Sequence, residues 1–398
     1  MSNTRLMRCF PPRSWRGAGW AAWAAAACAV LLAACTFTPT PAPLTPPGQE
    51  AAESVPLLPL PPPIEHPKSR WVPAPWAELP GFEQDDTAAA WSAWINSCER
   101  PGTALAPLCG QVRLLLLATP EEQRAWMREH LQPYRVEPLD GGAAGDGLLT
   151  GYFEPMIDAA RQPQGAYATP LYRPPATLSQ RRPWYTRQEA DTLPEARAQL
   201  QGQEIVWLDN PLDVLILQIQ GSGRVRIAEP DGSQRTVRLA YAGDNGQPYR
   251  SVGKWLLDQG LIRDSTWPGI KAWAAANPRR LQELLWSNPR MVFFREEPLE
   301  EMDTVLGPRG AQGVRLTPGR SIAIDPRSIP YGTPVWLSSP GPLLALDRLV
   351  MAQDTGSAIT GARRADYFAG WGAQAGDLAG RLKQPLKLWV LWPKGVER

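Results

Sequence analysis

An apolar run of Ala, Leu, Val and Trp extends from Ala18 to Ala34, behind four arginines, Arg5, Arg8, Arg13 and Arg16. It falls short of the roughly 20 apolar residues that span a bilayer, so its length and basic flank predict a signal-peptide core. From Thr36 to about Pro75 the pattern vanishes into Pro and Thr, including Pro61-Pro62-Pro63, which reads as an extended spacer. Periodicity returns near Trp76. Asp86 to Cys98 predicts a helix with Trp91 and Trp94 on one side, and Thr119-Pro120-Glu121-Glu122 opens another with a capping box. From Leu148 the texture is of short strands and turns. Leu217 and Ile219 alternate with Gln218 and Gln220, predicting a strand over Asp213 to Ile227 with its amides on one face. Asp231-Gly232 then turns a hairpin into Thr236 to Tyr241. Helices are expected at Ser251 to Leu257, closed by Gly260, and from Asn277-Pro278 to Trp286. Met291 to Arg295 returns to strand, and from Val314 strands alternate with Gly/Pro turns up to Leu386–Leu391. The expected body is mainly β with packed helices.

The leader ends at Leu32-Ala33-Ala34-Cys35, which resembles the bacterial lipobox, where the Cys thiol takes lipid and becomes the mature N-terminus. Thr36 follows; an Asp there would resemble an inner-membrane retention signal, so the expected destination is the periplasmic face of the outer membrane. Cys9 and Cys28 leave with the leader. Cys98 and Cys109 remain, close in sequence and in an oxidising compartment, and read as a disulfide, the alternative being two buried thiols. The chain has 398 residues, 43% of them hydrophobic, so one or two domains follow the tether. A net charge of +2 shows no nucleic-acid footprint. With only His66 and His130 present, a His-based zinc site or a Ser-His-Asp triad is not expected, and no cofactor or metal is implied. Gly221-Ser222-Gly223 lacks the following helix that a phosphate-binding loop needs. Most of the 18 tryptophans are expected in core or leader.

The chemistry-bearing cluster is C-terminal. Ser321-Ile322-Ala323-Ile324-Asp325 runs into Pro330-Tyr331-Gly332-Thr333. Then come Gln353-Asp354-Thr355-Gly356 and Arg364-Ala365-Asp366-Tyr367-Phe368. Three carboxylates stand at strand ends or turns beside glycines. Singly, each aspartate reads as a turn cap.

Together, these segments resemble the three-aspartate domain, a double-psi β-barrel module. Thr150-Gly151-Tyr152-Phe153-Glu154-Pro155, Leu217-Gln218-Ile219-Gln220-Gly221-Ser222-Gly223, Tyr241 to Tyr249, and Asn288-Pro289-Arg290 resemble, in order, the membrane-bound lytic transglycosylase A family. The segment Gly307 to Gly310 matches less closely. The resemblance implies a discontinuous barrel domain over 76–155 and 298–398, after a leader (1–34) and tether (35–75). An inserted β domain over 156–297 would face the barrel across a groove. The implied activity is non-hydrolytic cleavage of the β-1,4 bond between N-acetylmuramic acid and N-acetylglucosamine in peptidoglycan, leaving 1,6-anhydromuramoyl ends. Asp366 aligns with the family's catalytic acid. Asp354 and Asp325 are expected to support it, and Thr150, Tyr152, Gln218, Gln220, Ser222 and Tyr241 to contact the glycan. The implied partners are glycan strands, a membrane reached through lipid on Cys35, and proteins of wall synthesis or division. Two rivals stand beside this reading: a hydrolase on the same barrel, needing a second carboxylate and a water, and a non-catalytic peptidoglycan-binding lipoprotein.

Overall fold

A computed structural model describes residues 60–139 and 147–396. The expected leader, Cys35 and most of the expected tether lie outside them. The end of that tether requires correction, because it is folded. β1 (Ile64–His66) and β2 (Ser69–Pro73) pair antiparallel and join the main sheet. Trp71 is the cause: it is fully buried, packs at a tilt on His66 with ring centres 3.9 Å apart and meets Trp392 edge-on at 5.2 Å. One large buried aromatic outweighs the local Pro-rich composition that suggested a spacer.

Three helices follow: α1 (Thr87–Ser97), α2 (Cys109–Leu114) and α3 (Pro120–His130). The α3 capping box forms, with the Thr119 hydroxyl accepting from the Glu122 amide and Glu122 accepting from the Thr119 amide. Cys98 closes α1, Cys109 opens α2, and the two are disulfide-bonded. Their separation of 11 residues makes a short loop, for which chain entropy suggests stabilisation of roughly 2–3 kcal/mol. Replacing both cysteines with serine is expected to lower the unfolding free energy by that much, seen as a lower denaturant midpoint. An unchanged midpoint would contradict it.

β3 (Leu131–Glu137) and β4 (Gly147–Glu154) lead to a second sheet, built from β5 (Met156–Ala160), β6 (Thr169–Tyr172), β7 (Glu204–Leu208), β8 (Ser222–Ala228), β9 (Gln234–Asp244) and β10 (Val292–Pro298). Its order is β10-β9-β8-β5-β7-β6. Helices α4 (Arg187–Thr192), α5 (Pro194–Leu200), α6 (Pro211–Gln220), α7 (Val252–Asp258), α8 (Trp267–Ala276) and α9 (Leu281–Trp286) pack around it. The chain then returns through β11 (Ser321–Ala323), β12 (Pro334–Ser339), β13 (Leu346–Asp354), β14 (Arg364–Trp371), α10 (Gly372–Arg381) and β15 (Lys383–Pro393). Because β4 pairs with both β14 and β15, the strands β15-β12-β13-β11-β14-β4 close a ring, and β3-β2-β1 extend from β15.

The strand over Asp213 to Ile227 also requires correction. Its first half is α6, and only Ser222–Ala228 is strand. Asn210 caps α6 by accepting from the Leu212 amide at 2.9 Å, Pro211 fills the first turn, and Gly221 ends it at φ +81°. Leu212, Val214, Leu215, Ile216 and Leu217 are all buried, so the helix is apolar on several faces and shows little periodicity. A four-residue alternation at its end then mimicked a strand.

The C-terminal strands show why their composition is continuously apolar. Val335, Leu337, Val350, Ala352, Leu388 and Val390 point into the barrel. Their neighbours Trp336, Leu349, Met351, Trp389 and Leu391 pack outward against Trp91, Trp94 and Met127 from α1 and α3. With both faces buried, alternation of residue type has no reason to appear.

Candidate active site

The site is built by strand register. β4 and β14 run parallel and set Thr150 opposite Asp366. The Thr150 hydroxyl donates to Asp366 Oδ1 at 2.5 Å and accepts from Arg364 Nη2 at 2.8 Å. A guanidinium only donates, so the single hydroxyl proton is aimed at the Asp366 carboxyl. β11 lies between β13 and β14, and Ala323 is the partner of Asp354 on one side and of Asp366 on the other. The two aspartates therefore stand two strand spacings apart, about 10 Å between Cα positions, with only a methyl side chain between them. Tyr152, two residues beyond Thr150 on the same face of β4, packs on Phe368 at 5.2 Å.

Asp354 is heavily bonded. Its Oδ1 accepts from the backbone amides of Ala311 and Thr355, each at 2.9 Å, and its Oδ2 accepts from the Tyr152 hydroxyl at 2.9 Å. Burial nonetheless pushes its carboxyl up to about 6, overcoming those three donors, and Asp366 adds to the rise. Burial also raises the Asp366 carboxyl, while Arg364 and the Thr150 hydroxyl oppose it. Tyr152 is pushed well above the usual phenol range, first by burial and then by both aspartates. This is a pair of carboxyls inclined to hold protons, with a neutral phenol beside them, as suits general acid–base chemistry.

The less familiar Gly307 to Gly310 segment helps to build this wall. A side chain at Gly310 would meet the Gln353 carbonyl at 2.5 Å, and one at Gly307 would strike the Phe368 ring. Glycine lets the loop lie against β13, so that the Ala311 amide reaches Asp354.

The other expected residues divide. Gln220 Oε1 accepts from the Phe153 amide at 2.9 Å and so clasps β4 to the end of α6. Ser222 is buried at the start of β8. Gln218, on a helix rather than a strand, is buried and accepts from Arg187 Nη2 at 2.6 Å. Tyr241 is 45% exposed on β9 and donates to Asp244 at 2.5 Å, with no bond to the aspartate pair. Asp325 is buried. It accepts from the Gly361 and Arg327 amides, both at 3.0 Å, and from the Arg327 guanidinium, which together hold its carboxyl below the usual range despite burial. Its bonds serve the β11 loop. Two residues that sequence reasoning did not select join the site: Arg364, and Tyr249, a half-buried phenol raised by burial and by the nearby Asp366. Both lie inside motifs already noted, which was the available signal. Among the described residues no group of three or more His, Cys, Asp or Glu is arranged to hold a metal.

Comparison with known proteins adds the following. Residues 148–295 match the family model described as the MltA specific insert domain, and residues 320–392 match the 3D domain. The chain is 33% identical over 263 residues to a membrane-bound lytic murein transglycosylase A of Vibrio cholerae, covering 63% of this chain and 67% of that one. It resembles the solved lytic transglycosylase LtgG of Burkholderia pseudomallei at 42% identity and a TM-score of 0.55, covering 83% of this chain and 97% of the other. MltA of Neisseria gonorrhoeae superposes with a TM-score of 0.69 at 28% identity, covering 85% and 96%.

Proposed function

The chain belongs to the membrane-bound lytic murein transglycosylase A family, and from that premise we propose that it cleaves peptidoglycan glycan strands with Asp366 as general acid and then base. The observation that carries this reading is the Arg364–Thr150–Asp366 chain of hydrogen bonds on a carboxyl that burial holds upward. Protonated Asp366 gives its proton to the oxygen leaving C1 of N-acetylmuramic acid. The carboxylate left behind then takes the proton of the sugar's own C6 hydroxyl as that oxygen closes onto C1. The product is a 1,6-anhydromuramoyl end, and no solvent oxygen enters. Because C6 supplies the nucleophile, a second catalytic carboxylate is unnecessary, unlike in ordinary glycosidases.

Asp354 favours this reading over hydrolysis. Each of its oxygens already accepts from the protein, Oδ1 from two amides and Oδ2 from Tyr152, which leaves it poorly placed to activate a water. Its titration is tied to the acid's in one direction: burial first, and the nearby Asp366 after it, push the Asp354 carboxyl up. Thr150 and Tyr152 belong to the barrel strand beside Asp366, and Tyr249, from the inserted segment, is close enough to feel the Asp366 charge.

Removing the Arg364 charge separates its electrostatic part from its hydrogen bond. Arg364→Gln keeps a donor for Thr150 but removes the cation that lowers Asp366. The acid's pKa should climb, so the alkaline limb of kcat/KM, set by loss of its proton, moves to higher pH. An unmoved limb in the pH–rate profile would contradict the assignment.

The two parts of the fold are read as a barrel domain over 76–155 and 298–398 and an inserted domain over 156–297, with β1 and β2 added to the first. Cys35 is read as the lipid attachment point, on the periplasmic face of the outer membrane, with proteins of wall synthesis or division as partners. Cys35→Ala should release the protein from washed membranes; retention on fractionation would contradict the anchor.

A further inference from the structure

Leu114, Leu116 and Leu117 are exposed by 84%, 44% and 94%. They lie at the end of α2 and in the single 3-10 turn over Leu115–Leu117. Scattered exposed leucines are ordinary, but three within four consecutive positions form a patch. Nor is the turn frayed. Leu115 packs against the aromatic cluster of Trp91, Trp94 and Trp126, and its carbonyl accepts from Gln123 Nε2 at 3.0 Å. Trp91 Nε1 donates to the Val112 carbonyl at 2.7 Å, Arg113 Nη2 donates to the Cys98 carbonyl at 2.9 Å, and the disulfide staples the loop beneath. One leucine is thus pinned inward while its three neighbours are held outward.

Charge completes the picture. Between Glu99 and Glu121 there is no carboxylate, and the only charged residues are Arg100 and Arg113. Ala106, Pro107 and Gly110 extend the exposed uncharged surface. The same loop also borders the chain's entry into the fold, since Gly102, Thr103, Ala104 and Leu105 share a cleft with Glu65, His66 and Pro67.

We propose that this leucine turn is an interfacial membrane contact, inserting Leu114, Leu116 and Leu117 into the headgroup boundary of a phospholipid bilayer with anionic lipid. The proposal rests on the lipid-anchor reading for its setting. The 29 residues from Cys35 to Ile64 extend to at most on the order of 100 Å, so an anchored body always has a bilayer within reach. Apolar side chains on a segment whose own charges, Arg100 and Arg113, are both basic suit such a surface, with the exposed Glu121 and Glu122 at the start of α3 marking its edge. Among the described residues no helix is long and apolar enough to cross a membrane, so the contact is superficial. Alone it is weak and reversible, comparable to a single acyl chain. It would therefore be lost on washing, yet act steadily on a protein already tethered, where the effective lipid concentration is high.

The test uses the exported full chain carrying Cys35→Ala, which removes acylation from the result. It is co-sedimented with vesicles of phosphatidylethanolamine and phosphatidylglycerol up to millimolar lipid. The parent should partition measurably. Adding Leu114→Ser and Leu117→Ser should lower the partition coefficient by on the order of tenfold or more, with glycan cleavage in solution unchanged. Leu257→Ser, at a leucine 40% exposed elsewhere, should have no effect. A parent that does not bind, or a double variant that binds equally well, would overturn the proposal. So would a concentration-dependent dimer abolished by the double variant, which would assign the face to self-association. The intact mass of the membrane-extracted wild-type chain reports acylation separately, so failure of the anchor and failure of the patch are distinguishable.

Discussion

Asp366→Asn is expected to abolish glycan cleavage while leaving the fold and glycan binding largely intact. Asparagine matches aspartate in size, and its amide oxygen can still accept from the Thr150 hydroxyl that now donates to Oδ1 at 2.5 Å. What it lacks is a proton for the leaving oxygen and a base for the C6 hydroxyl. General acid–base assistance is typically worth about 10²–10⁴-fold. Here one residue supplies both halves, so the loss should reach or pass the top of that range. Stability at neutral pH should not fall. Burial raises the Asp366 carboxyl in the folded state, so its contribution is fully present below the unfolded pKa and is lost as pH rises through the folded one. A neutral amide escapes that loss. Turnover comparing purified wild-type and variant, with denaturant unfolding alongside, checks both points. Near-normal turnover would mean that another group is the acid.

Glu154→Gln is expected to destabilise the protein by about 3–5 kcal/mol. Glu154 ends β4 and is fully buried. It accepts from Arg224 Nε at 2.8 Å and from Arg238 Nε at 2.5 Å, both arginines projecting from the second sheet. Arg238 continues to the buried Asp303 at 2.6 Å, and Arg224 also stacks over Trp371 at 4.2 Å. Removing the central carboxylate while keeping its shape leaves the buried Arg224 without its carboxylate and Arg238 with Asp303 alone, an acid that Arg315 also engages. The penalty is their uncompensated desolvation rather than lost packing. Glu154 also lies four residues from Thr150 on the same strand, so activity should fall with stability. A loss under about 1 kcal/mol in urea unfolding would place the network at the level of a surface ion pair.

Much of this fold was legible in the chain, for physical reasons that differ from place to place. The α3 start was readable because a capping box is local: Thr119, Pro120 and Glu122 satisfy one another without tertiary help. The hairpin joining β8 and β9 was readable because Asp231-Gly232 supplies the turn, with Gly232 at φ +83°. α6 was misread because its cap signals, Asn210-Pro211 and Gly221, were passed over in favour of a short alternation. β1 and β2 were missed because only the distant Trp392 and the barrel give Trp71 a reason to order that segment. The carboxylates Asp354 and Asp366 were visible as motif residues. Their relation was not, since it depends on β11 bringing Ala323 between them. Arg364 was likewise invisible as a partner, because its bond to Thr150 spans 214 residues of sequence.

The most direct test of the account is digestion of purified sacculi in heavy-oxygen water, with mass spectrometry of the released muropeptides. Intramolecular attack by the C6 hydroxyl predicts 1,6-anhydromuramoyl ends carrying no solvent label. Reducing ends labelled with solvent oxygen at C1 would contradict it and make the enzyme a hydrolase.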